Sequence, residues 1–519
     1  MIETNTHQRD LRSSIDWKLI VSFLALVIIG WVNIYASIHS SEPSSIFDWE
    51  FRSGKQFIWI LTSLALAALI LFVLNPGVWE RLSVPIYVIV LFLLVAVIFL
   101  GVEVKGSRSW FEFGPVRFQP AEVSKISTSL LLAYVMSGTN FKISKFKDLL
   151  KVAVVIGLPM LIILAESETG SALVYAGFLF VLYREGFSGW IFMLIGMVVL
   201  LFILTLTAST YASVLTLIGV LSLCVALNHG KLLRWFLTWV PALVALAFFP
   251  KIWAWICGMS FNLSEIEEAA SASIGGEGIL PALPMVFKSV PSDLQILLHT
   301  VKPYWILIGA GLLACPVLLV RSFRRKDNFL GLATLGFIAG VILVFSTDFI
   351  FNNVLQDHQR KRIEVLLGMK EDPAGVGYNV NQSMIAIGSG GVFGKGFLHG
   401  TQTTYGFVPE QSTDFIFCTV GEEWGFVGCA VVILLYVFMI ARILVDAEHA
   451  RNSFTRIYGY CVASCIFMHL FINIGMTIGL MPVIGIPLPL LSYGGSSLWA
   501  FTILIFIFIA LDHTENKYF

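Results

Sequence analysis

Apolar stretches of eighteen or more residues recur from one end of this chain to the other. A helix of about twenty such residues crosses a bilayer core of about 30 Å. Of the 519 residues 57% are hydrophobic and 13% charged, about half the charge of a typical soluble chain. The chain therefore reads as an all-α polytopic membrane protein. A membrane β-barrel would show short alternating segments instead. Lys plus Arg and Asp plus Glu balance at 33 each, so no overall field selects nucleic acid. The seven cysteines lie in or beside apolar runs without metal-ligand spacing and read as lipid- or core-facing thiols.

Fourteen spans are expected, beginning near Trp17, Gln56, Trp79, Ala121, Leu149, Thr169, Trp190, Tyr211, Leu233, Tyr304, Phe329, Phe415, Ile457 and Ser497. With residues 1–16 as a cytoplasmic tail, "KISKFKDLLK" (142–151), "HGKLLR" (229–234), "RSFRRKD" (321–327) and the C-terminal tail share the inner side. The short segments 165–168 and 207–210 on the other side carry no Lys or Arg, as the positive-inside rule requires. The first apolar run lacks a small-residue cleavage site and reads as a retained anchor. Three polar, Gly-rich segments then face outward: 101–120, 347–414 and 481–496.

Segment 347–414 is too long for a passive connection. Its "GSGGVFGKGF" fails as a P-loop, because neither Ser nor Thr follows Lys395 and no strand precedes it. The outer side has no ATP, so a substrate there must arrive activated, and a lipid diphosphate fits. Lys105, Arg108, Arg117, Arg360, Lys361, Arg362 and Lys395 could hold such a group, with lipid-headgroup contact as the alternative for 360–362. Glycines 388, 390, 391, 394 and 396 would let backbone approach a ligand. Asp414 follows Ser412 and Thr413, both able to cap a helix, and in a first turn it would complement the helix dipole. Cys418, Gly421, Gly425 and Gly428 lie near its helical face, a stripe for close packing of a neighbouring helix. Glu422 and Glu423 point elsewhere, about 12 Å deeper, as structural or cavity-polar acids. In "QPAEVSK" (119–125), Pro120 suits a first helical turn. Glu122 and Lys125 pair at i, i+3, as structural glue or as part of a polar cavity. Pro482, Pro487, Pro489, Gly494 and Gly495 rule out a continuous helix, and irregular backbone at membrane depth lines a cavity.

Together, "KGSRSW…QPAEVSK", "GYNVNQSMIAIGSGGVFGKGFLHGTQTTYGFVPEQSTDFIF…GEEWG" and "GLMPVIGIPLPLLSYGGSS" resemble the SEDS family of peptidoglycan polymerases, the shape, elongation, division and sporulation proteins. The wording "GKGFLHGTQT…FVPEQ" is nearer the elongation branch. The resemblance implies a SEDS-type helical bundle of ten core spans, carried by residues 17–189 and 328–515, with about four inserted spans in 190–327. It implies a glycosyltransferase polymerising lipid II at the outer leaflet of the bacterial inner membrane, with both termini cytoplasmic. Asp414 would be the general base on the acceptor sugar hydroxyl, and undecaprenyl diphosphate would leave.

The candidate substrate and cavity residues are Lys105, Arg108, Gln119, Glu122, Lys125, Gln382, Ser383, Lys395, Glu410, Thr413, Ser492, Gly494 and Gly495. Arg360 and Arg362 are diphosphate candidates, and Glu168, Glu422 and Glu423 are structural or cavity acids. Implied partners are lipid II, the growing glycan strand, membrane lipids and a class B penicillin-binding transpeptidase. No cofactor is certain from the sequence; one divalent cation between acids and diphosphate stays open, without a closed ligand set.

Four residues depart from the family pattern: Ser412 replaces a frequent His, Ser167 and Glu168 in "ESETG" (166–170) replace Pro and Asp, and Ser109 replaces a basic residue before Trp110, leaving Arg108 to serve. A flippase or transporter for the same lipid and a non-catalytic scaffold are the competing readings; no inverted repeat supports transport.

Overall fold

The computed structural model describes residues 16–38, 45–104, 107–114, 116–272, 302–355, 357–367, 369 and 376–517. Two compact units divide the chain: Met1–Ser188 with Arg362–Phe519, and Gly189–Lys361.

The first unit opens with α1 (Trp17–Ile38), α2 (Arg52–Phe72), α3 (Gly77–Leu100), a small sheet of β1 (Val102–Val104), β2 (Ser107–Phe113) and β3 (Val116–Phe118), then α4 (Pro120–Met136) and α5 (Phe146–Ala165). A broken helix follows: α6 (Thr169–Val174), the 3₁₀ turn Tyr175–Gly177 and α7 (Phe178–Arg184). The second unit holds α8 (Trp190–Thr207), α9 (Thr210–Asn228), α10 (Leu232–Ala272), α11 (Pro303–Arg325) and α12 (Asn328–Phe349), which ends in the π turn Ile350–Val354. After α13 (Asp357–Leu366) the first unit resumes with α14 (Val376–Ser389), α15 (Thr401–Thr404), α16 (Ile416–His449), α17 (Ser453–Thr477) and α18 (Gly495–Lys517).

Twelve of these helices are long and apolar enough to cross a membrane. The other two expected spans are α4, with seventeen residues and an internal ion pair, and the interrupted α6–α7. Each expected start lies within about four residues of a helix start, because a 1.5 Å rise per residue fixes how long an apolar run must be.

Helix α17 is the axis of the first unit, with 83% of its apolar window buried, against α4, α16 and α18. Phe454, Tyr458 and Ile466 fill this core with Phe501, Phe508 and Tyr436. The second unit packs Leu201, Val214, Leu217, Ile308, Phe337 and Val344 into its own cluster.

Two expected loops are structured. Strands β1, β2 and β3 form an antiparallel sheet in order β1-β2-β3, with Val102 opposite Trp110 and Glu112 opposite Arg117. Alternation in "SRSWFEF" places Ser109 inward, at 0% exposure, and Arg108 outward, the two-residue period of a strand. Among the described residues of 347–414 lie the end of α12 and all of α13, α14 and α15.

Candidate active site

Asp414 sits in the turn Glu410–Phe415, half-buried, ahead of α16. The helix begins at Ile416 with Phe415 as its N-cap and no side-chain capping bond. The expectation that Ser412 or Thr413 caps a helix holding Asp414 in its first turn is corrected. The cause is competition for backbone carbonyls. Ser412 O accepts from Tyr493 N at 2.8 Å, Thr413 O from Ser492 Oγ at 2.6 Å, and Asp414 O from Asn473 Nδ2 at 2.8 Å. Three successive carbonyls are committed to distant donors, so the helix starts after them.

The partner segment, residues 478–494, is irregular but closely tied. Asn473 Nδ2 also donates to Ile486 O at 2.7 Å, and the Tyr436 hydroxyl donates to Pro489 O. Ser492 Oγ accepts from Leu488 N at 2.8 Å, and Gly494 N donates to Gln56 Oε1 at 3.2 Å. Gly495 opens α18 against Trp59, where an added Cβ would come within 2.6 Å of the ring. Gly485 has φ 76°, and a Cβ there would stand 3.4 Å from Asp414 Oδ2. The carboxylate thus lies beside a left-handed backbone position that favours glycine.

The motif around Pro120 reaches the same segment. Pro120 is the first residue of α4, with Gln119 as N-cap and 8% exposed. Glu122 Oε1 and Lys125 Nζ pair at 2.9 Å with side chains 3% exposed. Lys125 Nζ also donates to His469 Nε2 at 2.8 Å, leaving His469 Nδ1–H to donate to Pro487 O at 3.2 Å. His469 and Asn473, one turn apart on α17, therefore hold Pro487 and Ile486 together with Asp414.

Glu422 is fully buried and fixes residues 395–403. Lys395 Nζ reaches its Oε1 at 2.7 Å, Gln402 N at 2.8 Å, and Thr403 N reaches Oε2 at 2.9 Å. Lys395, a candidate for substrate contact, thus has its ammonium on an internal carboxylate. The glycines of 388–396, expected to admit a ligand, admit another stretch of main chain. Lys395 N and Gly396 N donate to Glu422 O and Glu423 O at 3.0 Å, and Phe426 N donates to Gly391 O at 2.9 Å. A Cβ on Gly394 would fall 2.0 Å from Glu423 O. The Gly421/Gly425 stripe is likewise corrected: Ile387 of α14 covers Gly421, but the Gly-rich loop covers Gly425, which breaks the helix at φ 64°. Glu423, 1% exposed, lies within the same buried stretch.

Two family departures meet each other. Ser109 Oγ donates to Glu168 Oε1 at 2.6 Å and Ser107 Oγ donates to the same oxygen at 2.9 Å. The longer acid Glu168 thus faces two hydroxyls. Gly170, two residues on, packs against Ile484 and Ile486, so Glu168 borders the segment that touches Asp414. Glu166 beside it is 3% exposed with neither carboxylate oxygen hydrogen-bonded. Burial, then the Glu168 charge, push its carboxyl up to about 8.

The remaining candidates scatter. Ser383 is fully buried and donates to Thr477 O at 2.7 Å, so it ties α14 to the end of α17 and presents no surface to substrate. Gln382 beside it is half-buried. Glu410 Oε2 accepts from Thr413 Oγ1 at 3.2 Å. Arg108 is exposed, 3.5 Å from Glu103. Arg360, in the second unit, stands over the Phe351 ring at 5.5 Å. Lys105 and the side chain of Arg362 lie outside the described residues. Among the described residues no three His, Cys, Asp or Glu side chains form a group able to hold a metal ion.

The family model for FtsW/RodA/SpoVE, the cell cycle proteins, matches residues 16–222 and 308–517. The chain belongs to this family. Peptidoglycan glycosyltransferase RodA of Treponema pallidum is 29% identical over 94% of this chain and 95% of its own length. Peptidoglycan glycosyltransferase MrdB of Escherichia coli K12 is 27% identical over 93% and 90%. The fold is that of a chain from a peptidoglycan synthase complex coordinating polymerization and crosslinking, with TM-score 0.53, 23% identity and coverage of 97% and 98%. It is also that of the rod shape determining protein RodA of Thermus thermophilus, with TM-score 0.50, 20% identity and coverage of 96% and 97%. This FtsW/RodA/SpoVE member is a multi-pass membrane protein.

Sequence reasoning singled out Asp414, Ser492 and the Glu122–Lys125 pair but passed over Arg52, Gln56, His469, Asn473 and Tyr493. His469 and Asn473 carried a signal: polar residues at i, i+4 inside an apolar span face the bundle interior.

Proposed function

We propose that this family member, like the relatives named peptidoglycan glycosyltransferase, is a peptidoglycan glycosyltransferase, and that it polymerises lipid II into glycan strands during cell elongation. The observation carrying this reading is the placement of Asp414. It is a half-buried carboxylate in a turn fixed by Asn473, Ser492 and Tyr493, against the backbone of Gly485.

In the reaction, an Asp414 oxygen accepts the proton of the acceptor sugar 4-hydroxyl. The hydroxyl oxygen bonds the donor's anomeric carbon as that carbon's bond to phosphate breaks, and undecaprenyl diphosphate leaves with the electron pair. Fixing the turn at three consecutive carbonyls holds the base in place before substrate arrives, the preorganisation that proximity catalysis requires. The active site faces the outer side of the bacterial inner membrane, with both termini cytoplasmic, on the distribution of basic segments. A class B penicillin-binding transpeptidase is the partner. Residues 190–327 are read as an insertion; the stretch 223–307, which the family model leaves unmatched, lies inside it.

The test is polymerisation of purified lipid II in detergent by wild type and Asp414→Asn, alone and with the transpeptidase. Polymer from wild type and at least about 100-fold less from an equally folded variant is expected. Equal yields overturn the role of Asp414, and no polymer from wild type with its partner overturns the polymerase reading in favour of transport or scaffolding.

A further inference from the structure

Arg52, the first residue of α2, is exposed, and its Nη1 donates to Ser412 Oγ at 2.5 Å. Its guanidinium lies 5.7 Å from the centre of the Tyr493 ring, whose own backbone N–H donates to Ser412 O. Other arginines of this unit face acids: Arg108 faces Glu103, Arg117 faces Glu112, Arg184 faces Glu448 and Arg456 faces Glu185. Arg52 pairs with no carboxylate among the described residues; a hydroxyl and an aromatic ring orient it instead. Such partners aim a guanidinium without neutralising it. Of its five N–H donors the Ser412 bond engages one, and Ser412 is two residues from Asp414.

We propose that Arg52 contacts the phosphate oxygens of the polyprenyl diphosphate carried by the substrate, a proposal that rests on the polymerase reading. A planar fork matches two phosphate oxygens at once. A positive charge anchored on Ser412, two residues from the base, also stabilises the negative charge that develops on the departing diphosphate. Exposure suits this role: the side chain is open to a ligand arriving from the membrane surface. Ser412 then has a definite function as the anchor that orients Arg52.

The same phosphate chemistry is offered by a phospholipid headgroup, so the test separates the two. The full chain in detergent is titrated with farnesyl diphosphate, farnesyl monophosphate and phosphatidylglycerol, with binding read by tryptophan fluorescence. Wild type is expected to prefer the diphosphate. Arg52→Ala should weaken that binding on the order of tenfold, Arg52→Lys less, and Ser412→Ala less than Arg52→Ala. Phosphatidylglycerol should not displace the diphosphate. Unchanged diphosphate binding by Arg52→Ala overturns the proposal. So does absence of binding by wild type, or Arg52-dependent displacement by phosphatidylglycerol, which would make this a headgroup site. Lipid II polymerisation is measured in parallel. Arg52-dependent binding without polymer defeats only the polymerase reading, and polymer with an unaltered KM and unaltered binding in Arg52→Ala defeats only the Arg52 contact.

Discussion

Asn473 holds Asp414 through the main chain: its Nδ2 lies 2.8 Å from Asp414 O and 2.7 Å from Ile486 O. One fully buried amide thereby joins the turn carrying the proposed base to the segment lying against its carboxylate. Asn473→Ala strands two carbonyls, at about 1–3 kcal/mol each when buried. It also lets the base drift, and a displacement of about 1 Å is enough for a 100-fold loss of rate. The expected result is about 100-fold slower lipid II polymerisation with farnesyl diphosphate binding retained; a wild-type rate would show that Asn473 does not position Asp414.

The pair Glu122–Lys125 behaves as a buried ion pair with a third member, His469. Lys125→Met or Glu122→Gln alone should cost about 3–5 kcal/mol, because each leaves an uncompensated group inside the bundle. The double replacement Glu122→Met/Lys125→Met should recover much of that stability. Polymerisation should stay low, since His469 loses the donor that fixes its tautomer toward Pro487. Thermal unfolding in detergent of all three variants gives the coupling energy.

Glu422 is the clasp of residues 395–403. Glu422→Gln removes the charge that Lys395 and the Gln402 and Thr403 amides address. Charge-assisted bonds of this kind are worth about 1.5–3 kcal/mol. Hydrogen exchange at Gln402 and Thr403 should accelerate by about 10- to 100-fold while α17 stays protected; exchange unchanged from wild type would rule out the clasp.

Glu166 makes stability pH-dependent. Its carboxyl holds a proton up to about pH 8 in the folded chain, against an ordinary 4.5. Between these values the folded state binds more protons than the unfolded one, so stability falls as pH rises through the window. Glu166→Gln cannot ionise, and its melting temperature should exceed that of wild type at pH 9 and decline less between pH 5 and 9. Parallel melting curves for the two proteins would contradict this.

Much of the architecture was legible because lipid imposes a simple rule: an apolar run long enough to cross is a helix. The starts near Trp17, Trp190 and Tyr304 follow from hydrophobic length alone, and Pro120 marks the first turn of α4 as its fixed φ predicts. The sheet at 102–118 was less legible, since two of its strands have three residues each, too few to display a period.

The sequence by itself determined that the chain is a helical membrane protein, where its spans begin, and that Glu122 and Lys125 meet one turn apart. It also carried Asp414 within a recognisable family wording. What only the tertiary structure decided is which groups claim which carbonyls. Asp414 was expected inside a helix, yet Asn473, Ser492 and Tyr493 take the carbonyls of Asp414, Thr413 and Ser412 and move the helix start to Ile416. The same holds for Lys395, which meets Glu422, and for Gly394, which meets Glu423 O. Periodicity registers neighbours three or four residues apart, whereas Asn473 and Asp414 are 59 residues apart and Ser492 and Thr413 are 79 apart. A hydrogen bond is satisfied by proximity in space, and that proximity exists only once the bundle has closed.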